Sequence, residues 1–441
     1  MKKGLLCFLI LFTSMGLRSQ NQITGVLSPP EEFKWLIAYR LIPGSQRYVA
    51  DTQVNDGSFV LSLPKGAPAG TYRLVYAVPQ EEFYVDVFYN GKENIELHFD
   101  LQDGSDFVVS EENRTWADYL EAMAEVEKAM AAVPRDIAPG EWQAILQRQQ
   151  DVQEGFLERS AGLMVRELIM ANKPFVPKEP LGLKDYFVQK KKGFLDSVPV
   201  GSSLLQTSGL LKNKVLAHVY TDHPEQLEGG MPAEAQMQLL VDQAQEKLTQ
   251  TPQKYQLDVL FDVWNIAQNN GLHQLTDHVA TKYLQKLATD LGDTEMAHFI
   301  EAERTLRLGN KAPDMAWQGP DGTQNLWEME GAANYVLVFW SSGCSHCLKE
   351  LPLLHEKVGQ LPNTKVIAVG LEEDEVPWRS VTEEMPLFAH ALSLGKWDSE
   401  LAKTYDIRQT PTYFVLDAEK RFVHKPQDYG GVLRFFSVDN E

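Results

Sequence analysis

The chain is predicted to be multidomain, with an N-terminal all-β sandwich or barrel, an all-α middle region and a C-terminal α/β domain. Two observations lead there. The spacing of apolar residues changes twice along the sequence, from every second residue, to the three-and-four spacing of helices, to alternating strands and helices. Beyond the first twenty residues the only cysteines are Cys344 and Cys347, and both fall at a strand-to-helix junction of the last segment. The length of 441 residues agrees, because domains run to ~150 residues and one core does not hold so much chain.

A hydrophobic fraction of 44% beside 23% charged residues is ordinary globular composition and excludes a disordered, collagen-like or multi-span membrane protein. The 41 basic and 61 acidic side chains give a formal charge of -20, which repels phosphate backbones and anionic lipid headgroups, so nucleic acid is not expected as a partner. The three cysteines, with Cys7 the third, are too few for a disulfide framework. Any sulfur chemistry is therefore local.

Residues 1–19 read as a secretory signal: Lys2 and Lys3, an apolar run from Gly4 to Thr13, then small and polar residues to Gln20. The run is well short of the ~20 residues that cross a bilayer as a helix, so cleavage is expected, with a retained anchor as the alternative. Cys7 follows Leu5 and Leu6 and reads as hydrophobic filler rather than a lipidation site. The expected compartment is the periplasm.

The β domain spans residues 20–109. Phe33, Trp35, Ile37, Tyr39 and Leu41 alternate with residues that include Lys34 and Arg40, the pattern of a strand. Turn signals at Asn55-Asp56-Gly57 and Asn90-Gly91 predict at least two hairpins. The helical region spans residues 110–305. Trp116, Tyr119, Leu120, Met123, Val126 and Met130 form one apolar stripe, and Leu260, Val263, Trp264 and Ala267 another, with Pro and Gly gathered between such stripes. Six to eight helices are expected. From residue 306 to 441 strands are expected at Tyr335–Trp340, Lys365–Leu371 and Thr412–Leu416, with a helix over Leu348–Leu361. A buried sheet with crossover helices accommodates them. The run Glu372 to Glu375 reads as a solvated loop after a strand.

The chemistry is concentrated in Cys344-Ser345-His346-Cys347. Two thiols at this spacing can close a disulfide, and a helix N-terminus stabilises a thiolate through its partial positive charge. Cys344 is expected to be exposed and to attack a substrate disulfide, while Cys347 lies one turn inward and resolves the mixed disulfide. The same pair is also half a zinc site, but there is no second cysteine pair and His355 lies on the same helix, so neither a metal nor any cofactor beyond the redox-active disulfide is expected.

Together with these residues, Ala312-Pro313-Asp314, Phe339-Trp340-Ser341-Ser342-Gly343, Glu350-Leu351-Pro352 and Thr410-Pro411-Thr412-Tyr413-Phe414 resemble thioredoxin-like thiol-disulfide oxidoreductases of the TlpA and ResA type, in the arrangement common in Bacteroidota. The resemblance covers residues 306 to 435. It implies that Pro411 is the cis proline beside the dithiol, that Thr410 offers backbone hydrogen bonds to an extended substrate, and that Glu350 is a buried acid able to accept a proton from Cys347. It also implies protein thiols and disulfides as partners, a membrane-bound thiol as electron donor, and the direction of a reductase. Three features depart from the family pattern. Gly343 stands where a Trp usually precedes the first cysteine, Ser345 and His346 replace a Pro-containing pair, and the last helix is short. A His in that place is more like the oxidant DsbA, because an imidazole near Cys344 stabilises the reduced dithiol. Trp340 is placed on the substrate side, with core packing as its other reading. Two further functions stay open: a partner-binding protein whose dithiol is secondary, and a thiol peroxidase, for which Leu337 stands where a Pro is needed.

Overall fold

The computed structural model describes residues 21–134, 137–177, 179, 181–196, 198–221, 232–320 and 322–438. The proposed signal segment lies outside the described residues. The chain divides after Val279 into two compact units.

The first unit begins with two four-stranded sheets. One holds Ser58–Ser62, Gln22–Ser28, Ile95–Asp100 and Gly104–Val109 in that order; the other holds Ser45–Gln53, Trp35–Ile42, Gly70–Val75 and Tyr84–Tyr89. The sheets remain separate and enclose one core that includes Ile23, Leu61 and Leu97 from the first and Leu36, Tyr72 and Val87 from the second. The architecture is a sandwich, and no barrel closes.

Two local expectations are corrected. The turn at Asn55-Asp56-Gly57 closes a hairpin of a single residue pair: Asn55 and Ser58 exchange backbone hydrogen bonds at 2.9 Å around Asp56 and Gly57, whose φ are 47° and 76°, but the strand after the turn pairs with Gln22–Ser28 in the other sheet. Asn90-Gly91 likewise joins strands of different sheets. Both turns are sandwich corners, and turn chemistry fixes the reversal but not the pairing partner. Along Trp35–Ile42 the inward residues are Leu36 and Ala38, while Trp35, Ile37 and Tyr39 are half-buried on the other face. The short helix Ser203–Thr207 packs on this second sheet, and Thr207 meets Thr71 through their hydroxyls at 3.0 Å. A helix on the back of the sheet makes both faces apolar, which blurs the period-two signal.

Eleven α-helices lie between residues 111 and 305 among the described residues, more than the six to eight expected, because segments such as Arg166–Ala171, Ser203–Thr207 and Gln285–Asp290 are too short to show a period. The long stripes are core: Tyr119, Met123 and Val126 are buried, as are Leu260, Val263 and Trp264, although Leu120 is exposed. No described helix is long and apolar enough to cross a membrane.

The second unit is organised by a five-stranded sheet in the order Ala389–Leu394, Thr364–Glu372, Asn334–Trp340, Thr412–Asp417, Phe422–His424. The first three strands run parallel, Thr412–Asp417 runs against them, and Phe422–His424 pairs antiparallel with Thr412–Asp417. Alternation splits the central strand between two cores. Tyr335, Leu337 and Phe339 face one, with Tyr405 and Phe414; Val336, Val338 and Trp340 face the other, with Cys347, Leu351 and Leu354 of the helix Ser345–Lys357. Both faces are covered, so the strand reads as an unbroken apolar run. The Ala312-Pro313-Asp314 motif is a structural clasp: Ala312 is fully buried, the Pro313 carbonyl accepts from the Tyr405 hydroxyl, and the Asp314 carboxylate accepts from Asn325 Nδ2 at 2.8 Å and Trp327 N at 3.2 Å.

Helix Thr294–Thr305, assigned to the helical region on sequence grounds, brings Ala302 into the buried cluster of Leu306, Tyr335 and Leu337. His298 Nε2 lies 2.9 Å from the Lys403 carbonyl, a second tie to the same unit. A fragment of residues 280–441 is therefore expected to unfold as one cooperative unit in urea. A fragment of 306–441 should be less stable by at least roughly 2 kcal/mol, the scale of one well-buried aliphatic side chain. Equal midpoints and slopes would show that the helix is dispensable.

Candidate active site

The dithiol stands where the central parallel strand ends, the end of an α/β sheet at which loops collect and ligands bind. Trp340 closes the strand, Ser341 to Gly343 turn the chain, and Cys344 caps the helix Ser345–Lys357 with extended backbone (φ -92°, ψ 111°). The cap is made by sulfur: Cys347 N–H donates to Cys344 Sγ at 3.2 Å. A free backbone N–H and the positive end of a helix both favour the thiolate at this position. The two sulfurs are at disulfide distance, with Cα atoms 5.3 Å apart. Cys344 is half-buried and Cys347 fully buried. Only Cys344 can be reached by another molecule.

The loop before the fourth strand of the sheet faces Cys344. The Thr410–Pro411 peptide bond is cis, and the Thr410 carbonyl oxygen lies 3.3 Å from Cys344 Sγ, where a reduced thiol would donate to it. Thr410 and Pro411 are each half-buried, so this segment keeps an open side next to the nucleophile. Thr412 Oγ1 donates to the Gln409 carbonyl at 2.7 Å and braces the turn.

Glu350, one turn beyond Cys347, is half-buried and accepts from two donors, Tyr413 Oη at 3.0 Å and the backbone N–H of Tyr429 at 3.1 Å. Tyr429 opens the short last helix, Tyr429–Phe435, so the carboxylate also lies at that helix's N-terminus. Burial, and then the charge of Glu350, hold the Tyr413 hydroxyl far above the ordinary range, so it remains a hydrogen-bond donor at every working pH. His346 is exposed on the first turn of the dithiol helix, next to exposed Ser345. Trp340, placed on the substrate side by sequence, is fully buried among Val338, Cys347 and Leu351, because its parity on the strand aims it beneath the helix. It supports the dithiol from below rather than touching a substrate.

The sequence reading missed one residue at the site. Glu372, taken as the start of a solvated loop, is the last residue of its strand and only 4% exposed. Its carboxylate accepts from the Ser342 backbone N–H at 2.5 Å and from Ser341 Oγ at 3.4 Å, and so fixes the turn that delivers Cys344. The parallel register explains it: Trp340 pairs with Gly370, which brings Glu372 level with Ser342. A carboxylate ending the strand beside the dithiol strand was the available signal. Asp374 then N-caps the helix Glu375–Thr382 by accepting from Val376 N at 2.8 Å.

Against known proteins, a thioredoxin-like family pattern matches residues 333–422. The C-terminal unit thus carries a thioredoxin-like domain. Among curated relatives, the thiol-disulfide oxidoreductase ResA of Bacillus cereus is 24% identical over 143 residues, which cover 32% of this chain and 80% of the relative. ResA of Geobacillus thermodenitrificans is 24% identical over 139 residues, 31% of this chain and 79% of the relative. Among solved structures, the thioredoxin domain of a thiol-disulfide oxidoreductase from Bacteroides vulgatus is similar at 25% identity, covering 30% of this chain and 99% of that one, with a TM-score of 0.26. A thioredoxin-like protein from Bacteroides caccae is similar at 15% identity over 60% of this chain and 96% of that one, with a TM-score of 0.31. The family match and the ResA relatives support the thiol-disulfide oxidoreductase resemblance, and the residues of the family match include the Cys-x-x-Cys pair.

Two outcomes are expected from this geometry. Iodoacetamide added to the reduced protein at mildly acidic pH should modify Cys344 first and Cys347 only after unfolding, as read by peptide mass spectrometry; modification of Cys347 first would reverse their roles. Gly370→Ala should destabilise the second unit by about 1–3 kcal/mol in urea titration, since a Cβ there would lie 2.3 Å from the half-buried ring of Trp378, which would have to shift from its place against the core.

Proposed function

We propose that the protein is an extracytoplasmic thiol-disulfide oxidoreductase that reduces disulfides of other proteins. The observation that carries the reading is the difference between the two sulfurs: Cys344 half-exposed at a helix N-cap beside the cis Thr410–Pro411 bond, Cys347 fully buried behind it. In the reduced enzyme the Cys344 thiolate attacks one sulfur of a substrate disulfide. An S–S bond forms to Cys344, the substrate S–S bond breaks, and the first substrate thiolate leaves and takes up a proton. Cys347 then loses its proton and attacks Cys344 Sγ, closing the enzyme disulfide and releasing the second substrate thiol. Two electrons pass to the substrate for each dithiol oxidised, and a thiol donor, proposed to be membrane-bound, restores the pair.

Glu350 is the proposed acceptor for the Cys347 proton, held in place by Tyr413 and the N–H of Tyr429. The Thr410 backbone is proposed to pair with an extended substrate segment across Cys344. The signal-like pattern of residues 1–19 supports export, and the ResA resemblance supports the reducing direction.

Insulin reduction followed by turbidity tests the activity. The wild type should catalyse it with dithiothreitol as donor, Cys344→Ser should not, and Cys347→Ala should accumulate mixed disulfides with its substrates. Absence of turnover, or mixed disulfides formed through Cys347, would sink the assignment. Glu350→Gln should slow closure of the enzyme disulfide by roughly 10²-fold while leaving mixed-disulfide formation unchanged. His346→Pro should make the couple more reducing by tens of millivolts, roughly 1 kcal/mol, on glutathione equilibration; an unchanged potential would make His346 a bystander.

A further inference from the structure

Glu372 stands beside the turn that delivers Cys344, yet no step of the exchange written above passes through it. Its side chain ends the strand Thr364–Glu372 and is only 4% exposed. Both carboxylate oxygens accept, one from the Ser342 backbone N–H at 2.5 Å and the other from Ser341 Oγ at 3.4 Å. Ser341 Oγ in turn accepts from the Gly343 N–H at 3.3 Å, and the Cys344 N–H donates to the Ser341 carbonyl at 3.0 Å. The N–H groups of Ser342, Gly343 and Cys344 are thus all drawn away from the Cys344 sulfur. Among the described residues, the Cys347 N–H is the backbone donor that reaches it. On the opposite side the Thr410 carbonyl, 3.3 Å from Cys344 Sγ, accepts from a thiol and opposes a thiolate.

The other charges around Cys344 come from its own helix and from three loops. His346 and Lys349 on the helix are exposed, and Glu350, one turn beyond Cys347, is shared between Tyr413 Oη and the Tyr429 N–H. Arg408, two residues before Thr410, donates to Asp406 at 3.1 Å. After the outer strand Ala389–Leu394, Lys396 pairs with Glu373 at 3.4 Å. Asp374 and Glu375 are exposed and are used within their own helix, by Val376 N and Arg379. No cation among the described residues lies within ion-pair distance of Glu372, which is answered by neutral donors. An enclosed carboxylate acts on its surroundings through a low dielectric, whereas water and salt screen the exposed charges.

We propose that Glu372 is a positioning residue that holds the turn before Cys344 and, through its enclosed negative charge, opposes ionisation of that thiol and keeps the couple reducing. The helix N-terminus and the Cys347 N–H favour the thiolate; Glu372 and the Thr410 carbonyl favour the thiol. A thiolate held at higher free energy stabilises the reduced dithiol less, so the pair gives up its two electrons more readily. Glu372 thereby offsets a helix end that alone would make the disulfide more oxidising. This role rests on the oxidoreductase reading of Cys344, whereas the ionisation of Cys344 is measured without substrate or turnover, so failure of one is distinguishable from failure of the other.

The rate of iodoacetamide alkylation of Cys344 as a function of pH, measured on the reduced full-length protein, tests this. The wild-type midpoint should lie above about 7, the value of thioredoxin. Glu372→Gln keeps the size and an oxygen for the Ser342 N–H but loses the charge, and should lower the midpoint by about one unit. Glu372→Asp keeps the charge and should stay within about 0.3 unit of the wild type. Glutathione equilibration at pH 8 reads the consequence: two glutathione thiols reduce the enzyme disulfide, giving the dithiol and glutathione disulfide, and the constant should rise about fivefold in Glu372→Gln. Circular dichroism checks the folding of each variant. A role confined to bracing the turn would lower stability in urea and leave the midpoint in place. A wild-type midpoint below about 7, a midpoint unchanged or raised in Glu372→Gln, or an equal fall in Glu372→Asp would overturn the proposal, and the wild-type measurement decides even where a variant does not fold.

Discussion

The junction between the strand Asn334–Trp340 and the helix Ser345–Lys357 is the constraint on which the site depends. A buried central strand must leave its sheet at full extension, and the helix that follows must leave its first N–H groups without intrahelical partners. Here one of those groups is answered by the sulfur of Cys344, so the need for a helix cap and the need for a stabilised thiolate are met by a single atom. The three-residue step to Cys347 then carries the second sulfur one turn inward, into the packed layer formed with Trp340 and Leu351. The asymmetry between an accessible and a buried sulfur follows from helix geometry alone.

Several groups around this junction hold it in place. Glu372 clamps the turn through the Ser342 amide, Trp340 fills the space below the helix, and Glu350 ties the dithiol helix to Tyr413 and to the last helix. Each contact comes from a different strand or helix, so the position of Cys344 is set by the whole sheet. Glu372 is nearly enclosed without a cationic partner among the described residues and is answered by neutral donors. Such a carboxylate is tolerated in a core when hydrogen bonds replace its water.

The first unit follows a different economy. Its sandwich buries one core between two sheets and rests a short helix on the outer face of the second sheet, while its helices border a cavity of about 710 Å³.

The class of each region was legible in the sequence because burial dictates period: the run Tyr335 to Trp340 and the stripe Leu260, Val263, Trp264, Ala267 announce a strand covered on both faces and an amphipathic helix. The dithiol was legible as well, since Cys344 and Cys347 need only local spacing to act as a pair. Tertiary structure decided what depends on register between distant segments. It turned Trp340 inward and placed Glu372 against Ser342, made Asn55 to Gly57 a corner between sheets, drew Ala302 into the core of the second unit, and gathered Lys190 and Lys214 around one cavity. A local pattern records whether a residue is covered, whereas the partner that covers it is fixed by strand pairing and helix packing across tens or hundreds of residues, which no single segment encodes.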